Sequence, residues 1–358
     1  MKHYTFRQMF LILAFLFPLS RMILYPSALA FASGVSGIIS VFICLGCELI
    51  SLVFIIIMWR KTELSFFELI EKTLSKPVAV IVACLYVLLF FIKLILILSS
   101  QKLMMYNVLY ENVDGYFLFL PVLLVLAYAG AKNSNSLARL FEISAFGVAI
   151  SFVGIMLLSA PTVNVANFFP ILGGDVFGGV YLSSIYFGDF TFFLMFFSKT
   201  RKDTCEYKML FAWLVNTAVT MCFIAVFFGV FGKLSVGGTY AISNLSKYTV
   251  SFSQVGRYDF LFILIVGFGF VVLALAILHA LLSAGEYICG KRWLWSIIIS
   301  AILFVTVYFT SENFEVFTNF AVRILPPFAF IMQFVLPIIG GIIAIFKGGK
   351  NEKQNTPI

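Results

Sequence analysis

The chain has few charged residues for its length: Asp, Glu, Lys and Arg together make up 11% of its 358 residues. A soluble domain carries about 25% charged residues, so this sequence could not cover a water-facing surface. Hydrophobic residues account for 62%, and 44 residues are phenylalanine. This composition excludes a cytosolic enzyme, a disordered chain and a disulfide-stapled secreted domain, and it predicts an integral membrane protein.

Motifs for the common chemistries are missing as well. The sequence has no P-loop, no HExxH and no GxSxG, and it contains only two histidines. Metal-dependent hydrolysis and acyl transfer therefore have no residues to carry them. The filter motif of an ion channel is also missing, which disfavours a channel. We expect no enzyme activity, no cofactor and no bound metal.

Ten apolar runs are candidates to cross a bilayer, and the fourth of them, 116–130, is short at fifteen residues. A hydrocarbon core about 30 Å thick needs roughly 20 apolar residues in a helix. The runs are continuously apolar, unlike the alternating strands of a barrel. The sequence therefore predicts an all-α integral membrane protein with ten transmembrane helices. The predicted spans are 7–32, 36–58, 78–106, 116–130, 141–160, 176–198, 209–231, 258–285, 293–310 and 324–346.

The basic residues indicate the orientation of these spans. With the N-terminus assigned to the cytoplasm, seventeen of the 24 Lys and Arg fall in cytoplasmic segments and five on the opposite side, while Arg21 and Lys93 lie within spans. This positive-inside pattern places both termini in the cytoplasm. The net charge of +8 is then a topology signal and indicates no nucleic-acid partner. Residues 63–76 have apolar residues at helical spacing, which predicts a short helix on the cytoplasmic face.

The first predicted span contains helix-breaking residues around a polar pair. Pro18 and Pro26 each remove a backbone donor, and Ser20 and Arg21 lie between them at mid-span. Backbone groups freed in a membrane must find partners in protein, water or ligand. We interpret the segment as a broken helix that lines a binding cavity. The alternative is an ordinary proline kink in which Arg21 pairs with a buried acid.

The sixth predicted span is the second irregular one. Gly188 precedes Asp189, a carboxylate near mid-span, whereas Gly178 and Gly179 are more typical of helix packing or an N-terminal boundary. Spans one and six are the first members of two five-helix halves. Broken helices at corresponding positions indicate a transporter-type site between inverted repeats. The candidate ligand-binding residues are Ser20, Arg21, Tyr186, Gly188 and Asp189.

Two further charged residues lie within predicted spans and require partners. Glu48 is in the second span and Lys93 in the third. An unpaired charge at this depth is costly, so we predict a membrane-buried charge network. Sequence alone leaves open whether Arg21 and Lys93 pair with Glu48 or with Asp189. His279, in the eighth span, is interpreted as a hydrogen-bonding residue inside the bundle.

Three short motifs stand at the starts of predicted spans. They are NSNSLARLFEI ahead of span five, with Arg139 and Glu142; NFFPIL ahead of span six, with Asn167, Pro170 and Leu172; and GRYDFLFI at span eight, with Arg257 and Asp259. These motifs resemble those of the spore germination permease family, the B subunits of GerA-type nutrient germinant receptors. This family lies within the amino acid–polyamine–organocation transporter superfamily, and the resemblance covers residues 4–347.

The first span departs from the family pattern. Pro26 is in place, but Ser20, Arg21 and Met22 occupy a stretch where small residues are expected. In the superfamily, a ligand carboxylate commonly meets exposed backbone N–H groups at this break. Here the Arg21 guanidinium either makes a bidentate contact with that carboxylate or plugs the site.

The resemblance implies a five-plus-five inverted repeat with broken helices 1 and 6. Its domains are 7–160 (helices 1–5), 176–346 (helices 6–10) and a polar cytoplasmic tail, 347–358. It implies a nutrient germinant, with an amino acid favoured, bound between helices 1, 3, 6 and 8. It also implies a membrane A subunit and a lipoprotein C subunit as partners, in the inner membrane of the spore. The alternative function is a proton-coupled amino acid transporter.

Overall fold

Helices account for the regular structure of this chain, and the described residues form no strand. The computed structural model describes residues 6–62, 64–105, 115–132, 134–171, 173–196, 207–237, 240–247, 259–290 and 292–351. The helices are α1 (Phe6–Leu11), α2 (Tyr25–Ser33), α3 (Gly37–Lys61), α4 (Phe66–Thr73), α5 (Lys76–Met104), α6 (Gly115–Ala131), α7 (Ser134–Ser159), α8 (Val176–Tyr186), α9 (Thr191–Leu194), α10 (Tyr207–Phe231), α11 (Ala241–Lys247), α12 (Asp259–Cys289), α13 (Arg292–Glu312), α14 (Phe314–Phe330) and α15 (Leu336–Asn351).

Within these residues, seven helical stretches are long and apolar enough to cross a membrane, as expected of an all-helical membrane protein. The first, fourth and sixth predicted spans fall short of that length. The first is divided at 22–24, the sixth is divided between α8 and α9, and the fourth contributes only Phe119–Ala131. The seven are Tyr25–Lys61, Lys76–Met104, Arg139–Thr162, Tyr207–Gly237, Leu264–Cys289, Arg292–Thr310 and Phe320–Phe346.

The first predicted span is a broken helix. After α1 the backbone forms a π turn, Ile12–Leu16, and then a 3₁₀ segment, Phe17–Arg21, before the helical hydrogen bonding stops. Pro18 and Pro26 each lie in the first turn of a helical segment. At that position a missing N–H leaves no helical hydrogen bond unmade. The prolines therefore set where each piece begins.

The sixth predicted span is also broken. The side chain of Asp175 caps α8 by accepting a hydrogen bond from the Gly178 N–H (3.0 Å), so Gly178 lies at the N-terminal boundary. Gly179 lies against the hydroxyl groups of Ser33 and Ser40, where α8 packs closely on its neighbours. After α8 ends, Gly188 adopts a left-handed conformation, with φ of +81°. These positions agree with the boundary and packing roles predicted for the two earlier glycines.

The predicted helix in 63–76 is present as α4. Ser65 and Glu68 form a capping box at its start, in which each side chain bonds the other residue's backbone. Phe66 and Phe67 are buried, and both rings contact Tyr86 of α5, whereas Leu74 is exposed. The apolar face of α4 therefore packs on the helix bundle. At the other end of the chain, α15 continues to Asn351, past the predicted start of the polar tail at 347, and residues 352–358 lie outside the described part.

Candidate functional site

The two broken helices contact each other at their breaks. The hydroxyl groups of Tyr25, at the start of α2, and Ser183, in α8, are hydrogen-bonded at 2.7 Å. The Tyr25 ring also packs on those of Tyr186 and Phe187, with centroids 4.9 and 5.7 Å apart. Both helix ends therefore meet in one aromatic contact, and the candidate residues of the two spans lie together.

Arg21 lies at the end of the 3₁₀ segment and is buried, with 1% of its surface exposed. A guanidinium has five N–H donors in a fixed plane, and each has an acceptor here. The group also stacks on the Phe187 ring at 3.9 Å from the centroid. The acceptors are Asp189 Oδ2 and Glu48 Oε1 (3.4 Å) at Nη2, Asn216 Oδ1 (2.9 Å) and Thr220 Oγ1 (3.1 Å) at Nη1, and the Tyr186 carbonyl (3.2 Å) at Nε.

The other three charged groups complete a network around the α8–α9 break. Lys93 donates from Nζ to the Phe187 carbonyl at 2.9 Å and lies 3.7 Å from Oδ1 of Asp189. The backbone N–H of Asp189 donates to Oε1 of Glu48 at 2.7 Å. Arg21 thus contacts both acids, and Lys93 lies beside Asp189, so the structure answers the pairing question that the sequence left open. With all four groups ionised, the formal charges of the two cations and two carboxylates sum to zero.

A small cavity lies beside this network, between the first, third, sixth and eighth predicted spans. Its volume is about 30 Å³. A single water needs about 10–15 Å³ on the same measure, so about two waters fit. Four of the candidate residues, Ser20, Tyr186, Asp189 and Lys93, are in its wall together with apolar side chains. The hydroxyl of Ser20 donates to the Phe17 carbonyl at 2.7 Å. The cavity is smaller than an amino acid in this conformation.

The backbone carbonyls at the first break accept hydrogen bonds from a helix that is distant in sequence. The carbonyls of Met22 and Ile23 accept hydrogen bonds from the N–H groups of Ile242 and Ala241 at 3.0 and 2.9 Å. These donors are the first residues of α11, a short helix whose residues are largely buried. Lipid has no donors for freed carbonyls, so α11 completes the break. The contact is between backbones and leaves no side-chain pattern that the sequence could reveal.

Gln333 is a site residue that the sequence reasoning missed. It is fully buried in a π turn, Ile331–Val335, of the last predicted span. Its side chain lies against Gly188, where the sixth span is broken, and Ser51 donates to its backbone carbonyl at 3.1 Å. A π turn inside a helix is frequent at functional sites. The available signal was one amide in an otherwise apolar run.

The remaining predicted residues lie away from the cavity. His279 bonds the Arg292 guanidinium through Nδ1 and the Ala129 carbonyl through Nε2 (3.3 Å), in line with the hydrogen-bonding role expected for it. Glu142 pairs with Arg7 at 3.7 Å. Arg139, of the same motif, is exposed.

The motif ahead of span six has a structural role at the end of α10. Asn167 donates from its side chain to the Gly229 carbonyl at 2.8 Å. Both Asn167 and Pro170 line a second cavity of about 660 Å³, which is separate from the charged network. Leu172 and Arg257 lie outside the described residues, and Asp259 begins α12.

Comparison with known proteins places the chain in a family. No curated protein matches its sequence at a significant level. The model of one family, described as spore germination protein, matches residues 4–266, which is well over half of the chain. Together with the apolar helices, this match identifies the chain as a membrane protein that belongs to the spore germination protein family.

Proposed function

We propose that this chain is the ligand-sensing subunit of a spore germinant receptor and that it binds an amino acid between helices 1, 3, 6 and 8. The observation that carries the proposal is the contact of two broken helices around a buried, charge-balanced network beside a cavity. Sites of this kind are typical of transporter folds. The proposed setting is the inner membrane of the spore, with cytoplasmic termini and with membrane A and lipoprotein C subunits as partners.

The proposed architecture is ten transmembrane helices in two inverted repeats, 7–160 and 176–346, followed by the tail 347–358. One observation supports it. The first and sixth spans are the only predicted spans broken by a non-helical segment within the described residues, at 22–24 and 187–190. In the proposed division these spans would occupy corresponding positions in the two halves, as an inverted repeat requires.

The size of the cavity suggests how sensing works. Space for about two waters is too small for an amino acid, so binding requires the helices around the cavity to separate. A ligand that fits only the widened state shifts the equilibrium toward that state. The charged network joins α3, α5 and α10 to both breaks, so a movement of the helices at the cavity is transmitted to these three helices. The moved helices then act on the partner subunits.

The proposal is tested by direct binding to the purified full chain in lipid nanodiscs. We expect one or more of the common amino acids to release or absorb heat on titration and to raise the unfolding temperature. Arg292→Met serves as a control, because it removes a partly buried guanidinium that does not line the cavity. We expect this variant to bind amino acids as the wild-type chain does. If no amino acid binds to the wild-type chain, the proposed ligand class is wrong.

One observation favours a proton-coupled transporter as the second candidate. Oε2 of Glu48 is buried and has no hydrogen-bond partner among the described residues. A buried carboxylate oxygen without a donor is a place where a proton can be taken up. Glu48 would then couple proton movement to that of the ligand through its contact with the Asp189 backbone.

Uptake of radiolabelled amino acids into proteoliposomes, with and without a pH gradient, separates these candidates. For a sensor we expect uptake no greater than that of empty liposomes under either condition. Gradient-driven uptake by the wild-type chain that Glu48→Gln abolishes would contradict the sensor and establish the carrier. Glu68→Gln, outside the network on α4, is the matched control.

A further inference from the structure

The four buried charges differ in how fully their hydrogen-bonding capacity is used. Arg21 has an acceptor for each of its five N–H groups. An ammonium has three N–H groups, and among the described residues Lys93 makes one hydrogen bond, to the Phe187 carbonyl. Its distance of 3.7 Å to Asp189 exceeds that of a good hydrogen bond. Lys93 is therefore the cation whose N–H groups are not all used in hydrogen bonds among the described residues.

The loose contact between Lys93 and Asp189 opens onto the cavity. Both residues line its wall, whereas Arg21 and Glu48 do not. A ligand that enters therefore meets an ammonium and a carboxylate side by side. It can form two charge-assisted hydrogen bonds there and displace only one weak contact.

Charge balance restricts the ligand further. The network is neutral, and a net charge buried at this depth costs several kcal/mol or more. A lone anion would leave the site at −1 and a lone cation at +1. A zwitterion keeps the balance, because its carboxylate faces Lys93 and its ammonium faces Asp189. The ligand favoured by the charges is thus neutral overall and carries both signs.

The backbone carbonyls at the breaks are already engaged in hydrogen bonds. Those of Tyr186 and Phe187, at the end of α8, accept from Arg21 and Lys93. Those of Met22 and Ile23 accept from α11. Asp189 is the charged acceptor in the cavity wall, and a ligand ammonium gains most from a charged acceptor.

The rest of the wall determines the ligand's side chain. Leu96 and Ile97 from α5 and Phe270 and Ile277 from α12 are apolar and line the cavity. A polar side chain that faced these four residues would lose its water without gaining hydrogen bonds from them. An apolar side chain fits this surface, as in most small-molecule pockets.

We propose that Lys93 binds the carboxylate, and Oδ1 of Asp189 the ammonium, of an amino acid with an apolar side chain. The inference rests on the proposed function and assigns the ligand's carboxylate to a side chain of α5. Binding replaces the contact between Lys93 and Asp189, and so separates α5 from the α8–α9 break. That separation is the widening that the small cavity requires.

Three related compounds test the charge pattern on the wild-type chain. L-valine carries both charges, L-valinamide lacks the carboxylate, and 3-methylbutanoate lacks the ammonium. We expect titration of the full chain in nanodiscs to give valine an affinity about tenfold or more above either analogue, because each analogue forfeits a charge-assisted hydrogen bond. An analogue that binds as tightly as valine overturns the inference, and this comparison needs no variant to fold.

Lys93→Met tests the residue itself. We expect valine affinity to fall about tenfold or more and valinamide to become the better ligand, because the site then carries −1. Lys102→Met is the matched control, since Lys102 is on the same helix, is equally buried (7% exposed against 8%) and does not line the cavity. Unchanged valine affinity in Lys93→Met overturns the inference but leaves the sensor intact. If wild type binds none of the three compounds, the inference fails, and the full set of amino acids then decides the proposed function.

Discussion

Replacing Arg21 by methionine is expected to lower the free energy of unfolding by about 3–5 kcal/mol, the cost of removing one partner from a buried ion pair. Glu48 and Asp189, exposed by 1% and 2%, would both lose their guanidinium contact. Lys93 would then be the single cation beside two carboxylates, and the network would carry −1. Unfolding of the purified chain, followed by denaturant titration in mixed micelles, measures the change.

A second substitution tells whether the loss is electrostatic. Arg21→Met combined with Asp189→Asn returns the network to zero, with Glu48 and Lys93 remaining. We expect the double variant to recover a substantial part of the lost stability, because residues in one ion-pair network are not additive. Methionine is apolar and of similar length, so packing against Phe187 is largely kept. A double variant less stable than Arg21→Met alone would contradict the charge-balance explanation.

Local residue types suffice to predict where both helices break. Pro18 and Pro26 mark the starts of two helical pieces in the first span, and Gly188 beside a buried acid marks the end of α8. The membrane-buried network is also predictable in kind, because an ionised group at that depth needs a partner. Which cation pairs with which acid is not predictable from the sequence. Arg21 contacts both acids, and only the packing of three helices determines these contacts.

Long-range backbone contacts are what the sequence could not reveal. The bonds from α11 to Met22 and Ile23 involve no side chain. The gap between the first two predicted spans, by contrast, coincides with a helix break, because α2 ends at Ser33 and Gly34 has a φ of +56° before α3 begins at Gly37. Hydropathy reports apolar length along the chain and does not report which distant backbone groups bond each other.

Replacing Gly188 by alanine is expected to lower the free energy of unfolding by about 2–5 kcal/mol. Part of this comes from φ of +81°, a conformation that costs a residue with a Cβ about 1–2 kcal/mol. The remainder comes from overpacking, which costs about 1–3 kcal/mol. The added methyl would lie 2.5 Å from Cβ and 2.7 Å from Cδ of Gln333. Because Asp189 follows directly, ligand binding should weaken together with stability.

Two further variants separate the contributions. Gly188→Ala combined with Gln333→Gly removes the contacts with Cβ and Cδ and keeps the backbone strain, so it should recover only the overpacking part relative to Gln333→Gly alone. Gly46→Ala is the matched control, because Gly46 lies inside α3 with no atom within 4 Å of an added Cβ. That change should be neutral or stabilise the helix by up to about 1 kcal/mol. If Gly188→Ala unfolds at the same denaturant concentration as Gly46→Ala, the break does not depend on a left-handed residue packed against the π turn. Asp189 would then owe its position to its charged partners alone.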